Sequence, residues 1–174
     1  MKVCEEFYIN GEWVKPVNGL KTLDVINPAT EEVFGRIALG DKDDVDAAVE
    51  AAYSAFETFG FSSVEERISL LEKILEVYQG KYDEIAETIS SEMGAPIGLS
   101  KAAQAATGLG HFSTALETLK NYKFEEVKGS ALIRKEPIGV VGMITPWNWP
   151  INQISCKVGP CLLYTSDAAD ESVR

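Results

Sequence analysis

The residues of this chain with the clearest capacity for chemistry lie in one stretch, Thr145-Pro146-Trp147-Asn148-Trp149-Pro150. Two prolines stiffen the backbone on either side of Asn148, and two indoles flank it. A side-chain amide held this way is a preorganised hydrogen-bond donor, the property an oxyanion hole requires, and the indoles are expected to wall off water around it. The same residues also suit a plainer role, in which Asn148 braces a turn ahead of a helix and the tryptophans belong to the core. Other reactive side chains are sparse. Cys4, Cys156 and Cys161 are unclustered, odd in number and without Cys-x-x-Cys spacing, which argues against a disulfide framework and against a zinc site. His111 is the only histidine, so inert thiols and a structural or surface histidine are the simpler expectation.

The loop needs elements to position it. Before it, Ile138 to Ile144 is an uncharged run bounded by Pro137 and Pro146, the pattern of a parallel strand buried on both faces. After it, Pro150 suits the first turn of a helix continuing through Ile151, Ile154, Lys157 and Val158. Strand, tight loop and helix form the unit with which open α/β sheets hold ligands at the carboxyl ends of their strands. The loop carries no Gly-x-Gly-x-x-Gly, and Gly108-x-Gly110 sits in a helical pattern with no strand before it. The usual dinucleotide fingerprint is therefore absent.

Earlier segments read as a β-rich opening and then helices. Phe7-Tyr8-Ile9 and Glu12-Trp13-Val14 flank Asn10-Gly11, which favours a two-residue hairpin turn. Thr22 to Ile26 and Val33 to Ile37 pair across Asn27-Pro28-Ala29-Thr30, where Asn27 can brace the turn. Cys4 is expected ahead of the first strand. Asp41 caps a helix whose buried face is expected to hold Val45, Ala48, Val49, Ala52, Tyr53 and Phe56. Ser63 and Glu66 form a capping-box pair for a helix burying Leu71, Ile74, Leu75 and Tyr78, which Gly80 ends. Tyr82, Ile85, Ala86, Ile89 and Met93 continue the stripe to a stop at Gly94 and Pro96. An Ala-rich helix runs from about Leu99 to Leu119 with Phe112, Ala115, Leu116 and Leu119 on one side, and its small residues allow close packing. Phe124 to Val127 and Ala131 to Lys135 read as two strands around Lys128-Gly129-Ser130.

Composition bounds the function classes. The 174 residues suffice for one domain with, at most, a small satellite, and 45% hydrophobic against 25% charged residues is an ordinary globular balance. With 16 basic against 27 acidic residues the net charge is −11, and no basic stripe is available to displace counterions from nucleic acid. No apolar run approaches the ~20 residues needed to span a bilayer, and the first residues lack a secretory layout. A cytoplasmic protein, with no nucleic-acid or membrane partner, is the expectation.

A resemblance sharpens the chemistry. Glu136-Pro137-Ile138-Gly139-Val140-Val141-Gly142-Met143-Ile144, followed by Thr-Pro-Trp-Asn-Trp-Pro, resembles the first Rossmann strand and catalytic asparagine loop of the NAD(P)-dependent aldehyde dehydrogenases. Tyr8-Ile9-Asn10-Gly11-Glu12-Trp13 is similar to that family's opening hairpin. Val25-Ile26-Asn27-Pro28-Ala29-Thr30 is similar to its second turn, and Asn152-Gln153-Ile154-Ser155-Cys156-Lys157 to its following helix. The resemblance implies an α/β fold: the front part of a Rossmann-type cofactor-binding domain, truncated, with N-terminal β-hairpins and a helical segment over residues 1–160. It implies that Asn148 donates its amide to the oxyanion of a thiohemiacetal and then of a thioester. Ile144, Thr145, Pro146 and Trp147 match the segment that lines NAD or NADP, largely through backbone atoms. The implied partner is an aldehyde substrate, the implied parent a homo-oligomer, and the strands near 124–135 resemble the family's oligomerisation hairpin.

The resemblance also has edges. The family's nucleophilic cysteine, general-base glutamate and pyrophosphate loop lie beyond residue 174, and Cys156 matches a helix position, so this chain is expected to be catalytically silent and marginally stable by itself. Residues 161–174 depart from the family pattern and are expected to be an unrelated tail of junction sequence. Two further readings stay open: a helix-rich interaction module, and a semialdehyde-specific or CoA-acylating relative.

Overall fold

The structure is a computed structural model that describes residues 2–163. Strands β1 (Lys2–Cys4), β4 (Lys21–Ile26) and β5 (Val33–Leu39) form one sheet in the order β1-β5-β4. Within it β1 runs parallel to β5, and β4 pairs antiparallel from Lys21 opposite Leu39 to Ile26 opposite Val33. Cys4 thus lies within a strand rather than ahead of one. The opening strand is short and exposed, so its place is set by the edge of β5 and by Lys2, whose Nζ donates to Thr88 Oγ1 at 2.7 Å. A separate hairpin joins β2 (Phe7–Ile9) to β3 (Glu12–Val14), with Asn10 at φ 53° and Gly11 at φ 79°. Two successive positive φ values are what a type I′ turn demands, and Asn-Gly adopts them at least cost. Asn27 braces the β4–β5 turn as expected, its Oδ1 accepting from Ala29 N at 2.9 Å.

Five helical stretches follow. Helix α1 (Lys42–Phe59) starts at a complete capping box, in which Asp41 accepts from Asp43 N and the buried Asp44 accepts from Asp41 N. Asp44 also accepts from Val17 N at 2.8 Å, tying the β3–β4 connection to the helix start. Helix α2 (Val64–Gly80) has the Ser63–Glu66 box and stops at Gly80, and α3 (Tyr82–Met93) ends at Gly94 in the left-handed region (φ 71°). The next stretch begins as a short turn, α4 (Ile97–Leu99), passes through a π-helical turn (Ser100–Gln104) and continues as α5 (Ala105–Asn121). A π turn loosens the regular carbonyl ladder, and two tyrosines meet the carbonyls at its rim. Tyr78 donates to Ala105 O at 2.8 Å and Tyr82 donates to Lys101 O at 2.5 Å. Gly108 completes the fit, because a Cβ there would stand 2.2 Å from Tyr78 Oη. A hairpin, β6 (Glu125–Lys128) and β7 (Ala131–Arg134), precedes the last helix, α6 (Pro150–Leu163).

The core lies between α2, α3, α5 and α6. Leu71, Tyr78, Phe112, Ala115, Leu116, Leu119, Phe124 and Leu163 are buried together, as the 3.6-residue spacing of the apolar positions requires. Gly159 lets α6 approach α5, where a Cβ would meet that of Ala115 at 3.3 Å.

Two expectations fail. On α1, Val45, Ala48, Val49 and Tyr53 are exposed, and Ala52 and Phe56 are only half-buried. Among the described residues only the Ala52–Phe56 end of that face has neighbours, along a groove bordered by 137–143 and α6, and helical periodicity specifies which side would be covered, not whether a cover exists. Likewise Ile138–Ile144 forms no strand: Ile138 is 93% exposed, Ile144 is 96% exposed, and Gly139 has φ 112°. A parallel strand needs neighbours for its ladder and layers on both faces, and none of the described strands pairs with it. The expected tail divides at Leu163, since α6 continues through Cys161–Leu163 while 164–174 lie outside the described residues.

Candidate functional site

Asn148 sits near the end of an irregular segment, one residue short of α6. Trp149, between the two, adopts φ 52°, a left-handed conformation uncommon for a bulky residue and especially disfavoured ahead of a proline. Strain of this kind persists only where the surroundings hold it, and it clusters at functional positions. Here Gln153 N closes the first turn of α6 onto Trp149 O at 3.1 Å. The chain therefore reverses sharply after Asn148 and enters a helix at once. Asn148 is exposed, and among the described residues its amide has no hydrogen-bond partner, which leaves the group free to meet an incoming acceptor.

The other expected site residues, Ile144, Thr145, Pro146 and Trp147, lie alongside in the same segment and are all exposed. Trp147 is 79% exposed, so the two indoles do not enclose Asn148 as expected. A single loop supplies one side of an enclosure, and the second side is not among the described residues. Backbone groups of 138–148 enter no strand ladder, so they remain available to a ligand. Ile144, Pro146 and Trp147 suit the flat apolar faces of a dinucleotide, whereas 137–149 contains no Lys or Arg to balance its phosphates. The residues present fit one flank of that cofactor.

The ground under the loop is firm. His111 Nε2 on α5 lies 2.7 Å from Asn152 Oδ1 in the first turn of α6. At the far end of the helix, Arg67 is 2% exposed and donates from Nη1 to Leu162 O (2.9 Å) and from Nη2 to Phe59 O (2.6 Å). Its guanidinium also stacks over the Phe59 ring at 4.3 Å. Burial pushes the Arg67 pKa below its usual value, with nearby Glu66 opposing the shift. The compensation comes from the negative carbonyl ends of α1 and α6, since no described carboxylate forms an ion pair with it. Neither anchor was foreseen. Arg67 stands four residues before Leu71 on the buried stripe, a spacing that signals an inward-facing charge, whereas nothing in the sequence connects His111 with Asn152.

The cysteines add no nucleophile beside Asn148. Cys4 and Cys161 are exposed, and the half-buried Cys156 lies within α6, with Sγ 3.5 Å from Gln153 O. Among the described residues no cluster of His, Cys, Asp and Glu could hold a metal ion, and no helix is long and apolar enough to cross a membrane.

Comparison with known proteins places this geometry in context. The sequence profile described as "Aldehyde dehydrogenase family" matches residues 13–166. A 3-succinoylsemialdehyde-pyridine dehydrogenase from a Pseudomonas species is 49% identical over 163 residues, covering 93% of this chain and 34% of the relative. The crystal structure of an aldehyde dehydrogenase from Bartonella henselae superimposes with a TM-score of 0.91 at 44% identity, covering 94% of this chain and 35% of that one. A mutant of aldehyde dehydrogenase C from Pseudomonas syringae, complexed with NAD+ and octanal, matches with a TM-score of 0.90 at 41% identity, covering 92% and 33%. This chain spans about a third of the length of the relatives it matches.

Proposed function

The chain belongs to the aldehyde dehydrogenase family, and from that premise we propose that it is the N-terminal part of a cytoplasmic enzyme oxidising an aldehyde to a carboxylic acid with NAD(P)+. In this reading residues 1–160 contribute to the cofactor-binding domain. Asn148 is the catalytic residue this chain supplies. Its amide donates to the oxyanion that develops when a cysteine thiolate, carried by the remainder of the protein, adds to the aldehyde carbon to give a thiohemiacetal. It serves the same oxygen again on the way from thioester to acid. Bound NAD(P)+ supplies the hydride acceptor. Ile144, Thr145, Pro146 and Trp147 flank it, the apolar side chains packing and the unladdered backbone binding. The exposed β6–β7 hairpin, with Val127, Leu132 and Ile133 on its surface, is the edge through which the enzyme forms a homo-oligomer.

The observation that carries this reading is the Asn148 amide, without a partner among the described residues, on a backbone turn set by a left-handed Trp149 and a helix start. Removing one oxyanion-hole donor costs ~10²–10³ in rate. The expected outcome in the full-length enzyme is that Asn148→Ala lowers kcat by that factor while KM for NAD+ stays within about twofold. Undiminished kcat would defeat the assignment. The 174-residue chain alone is expected to reduce no NAD+ in the presence of aldehyde.

The semialdehyde dehydrogenase among the relatives, at 49% identity, favours a second reading within the same chemistry, a preference for aldehydes bearing a second polar group. Comparing kcat/KM for a semialdehyde and an unbranched aldehyde of equal length decides between them.

A further inference from the structure

We infer that His111, a residue of α5 remote in sequence from the catalytic loop, is a positioning residue that fixes the direction of Asn148 through Asn152. The inference rests on the catalytic role proposed above for Asn148. Between them the contacts form a continuous chain. His111 Nε2 holds Asn152 Oδ1 at 2.7 Å, Asn152 sits in the first turn of α6, and that turn is closed by Gln153 N onto Trp149 O at 3.1 Å. Trp149 is the left-handed residue that sets the exit angle of Asn148.

Three features make His111 more than one helix contact among many. Among the described residues it provides the only side-chain hydrogen bond from another element to the first turn of α6. Of the other anchors, Gly159 against Ala115 and Arg67 on Leu162 O grip the later turns of the helix, and the half-buried Ile151 packs the first turn against the core without a directional bond, so the orientation of that turn is left to the His111 contact. A left-handed tryptophan before a proline also tends to relax toward extended backbone, so something must oppose the unwinding of this turn. His111, half-buried at the edge of the core face of α5 with the buried Gly108 and Ala115 one turn to either side, is a rigid base for that purpose.

Amide hydrogen exchange on the 174-residue chain tests the anchor, and steady-state kinetics on the full-length enzyme test its consequence. His111→Leu is expected to raise exchange at Gln153 about tenfold, the equivalent of one ordinary hydrogen bond, while exchange in the core turn around Leu119 stays unchanged. Asn152→Ala reproduces the effect from the other side of the bond, and His111→Gln, which keeps a side-chain nitrogen, restores much of the protection. In the enzyme, His111→Leu lowers kcat about tenfold with little change in KM for NAD+, and this loss vanishes when Asn148 is already Ala. Unchanged exchange at Gln153 in both His111→Leu and Asn152→Ala, or a rise spread evenly through α5 and α6, overturns the anchor. An equal kcat loss in both Asn148 backgrounds overturns the positioning role alone. A fully active Asn148→Ala enzyme would instead defeat the functional reading on which this inference stands.

Discussion

The α2–α3–α5–α6 core and the flank made by α1 with 137–144 both carry apolar side chains, yet only the first encloses them. Leu71 and Leu119 are enclosed, while Val45, Val49, Tyr53, Ile138 and Ile144 face solvent. Ala52, Phe56 and Phe59 of α1, Pro137, Val140 and Val141 of the irregular segment, and Leu162 of α6 line one apolar groove between these elements. The two regions differ in partners rather than in composition. In the core each apolar stripe meets another, whether the helices are joined by a short connection, as α2 and α3 are, or by the long segment 122–149 between α5 and α6. The flank offers a helix face and a strand sequence, and a strand buried on both sides must be paired and covered by other segments.

Mutations separate the two regions, and the largest effect belongs to the core. Leu71→Ala removes a fully enclosed side chain and leaves a cavity, with an expected loss of roughly 2–5 kcal/mol in urea unfolding of the chain. A loss near zero would mean the core is no better packed than the flank. Gly108→Ala comes next. The added methyl would collide with a Tyr78 ring that is itself buried and hydrogen-bonded, so neither side yields easily, and a loss of about 1–3 kcal/mol is expected.

These two positions also mark how far the sequence could be read. Leu71 was legible because local periodicity and the Ser63–Glu66 box locate the helix and its inner face from neighbouring residues alone. Asn10-Gly11, Asn27, Asp41 and Gly94 were legible for the same reason, since a turn or cap is local chemistry. Gly108 was not, because its need comes from a hydroxyl thirty residues away in sequence. The loop around Asn148 divides likewise: its stiffness and the helix that follows it could be read from Pro146 and Pro150, but not the His111 anchor, the left-handed Trp149 or the exposure of Trp147. Charge, caps and periods are written along the chain; covers and long-range contacts are not.

Tyr78 gives a smaller effect with a signature in pH. Burial, with Tyr82 adding to it, pushes its pKa up to about 12 from an ordinary 10.0. The folded protein thus holds its proton in a range where the unfolded chain has released it, so this contribution to stability is complete below pH 10 and declines as pH rises toward 12. Tyr78→Phe is expected to cost about 1 kcal/mol at neutral pH through the lost bond to Ala105 O, and to flatten the fall of stability between pH 10 and 12 relative to the parent. Parallel slopes for the two proteins in urea melts across that range would place Tyr78 outside the core.

The smallest effect carries the most information about the flank. Ile138→Ser alters a side chain that is 93% exposed, so in the 174-residue chain unfolding free energy should move by no more than about 0.5 kcal/mol. In the longer enzyme proposed above, were this run a covered parallel strand, the same substitution would bury a hydroxyl in place of three carbons and cost at least about 2 kcal/mol. The difference between the two measurements isolates the contribution of the missing cover, because the mutated residue and its local sequence are identical in both. A large loss already in the short chain would show that 138–144 is packed without any additional strand, and the contrast between core and flank would disappear.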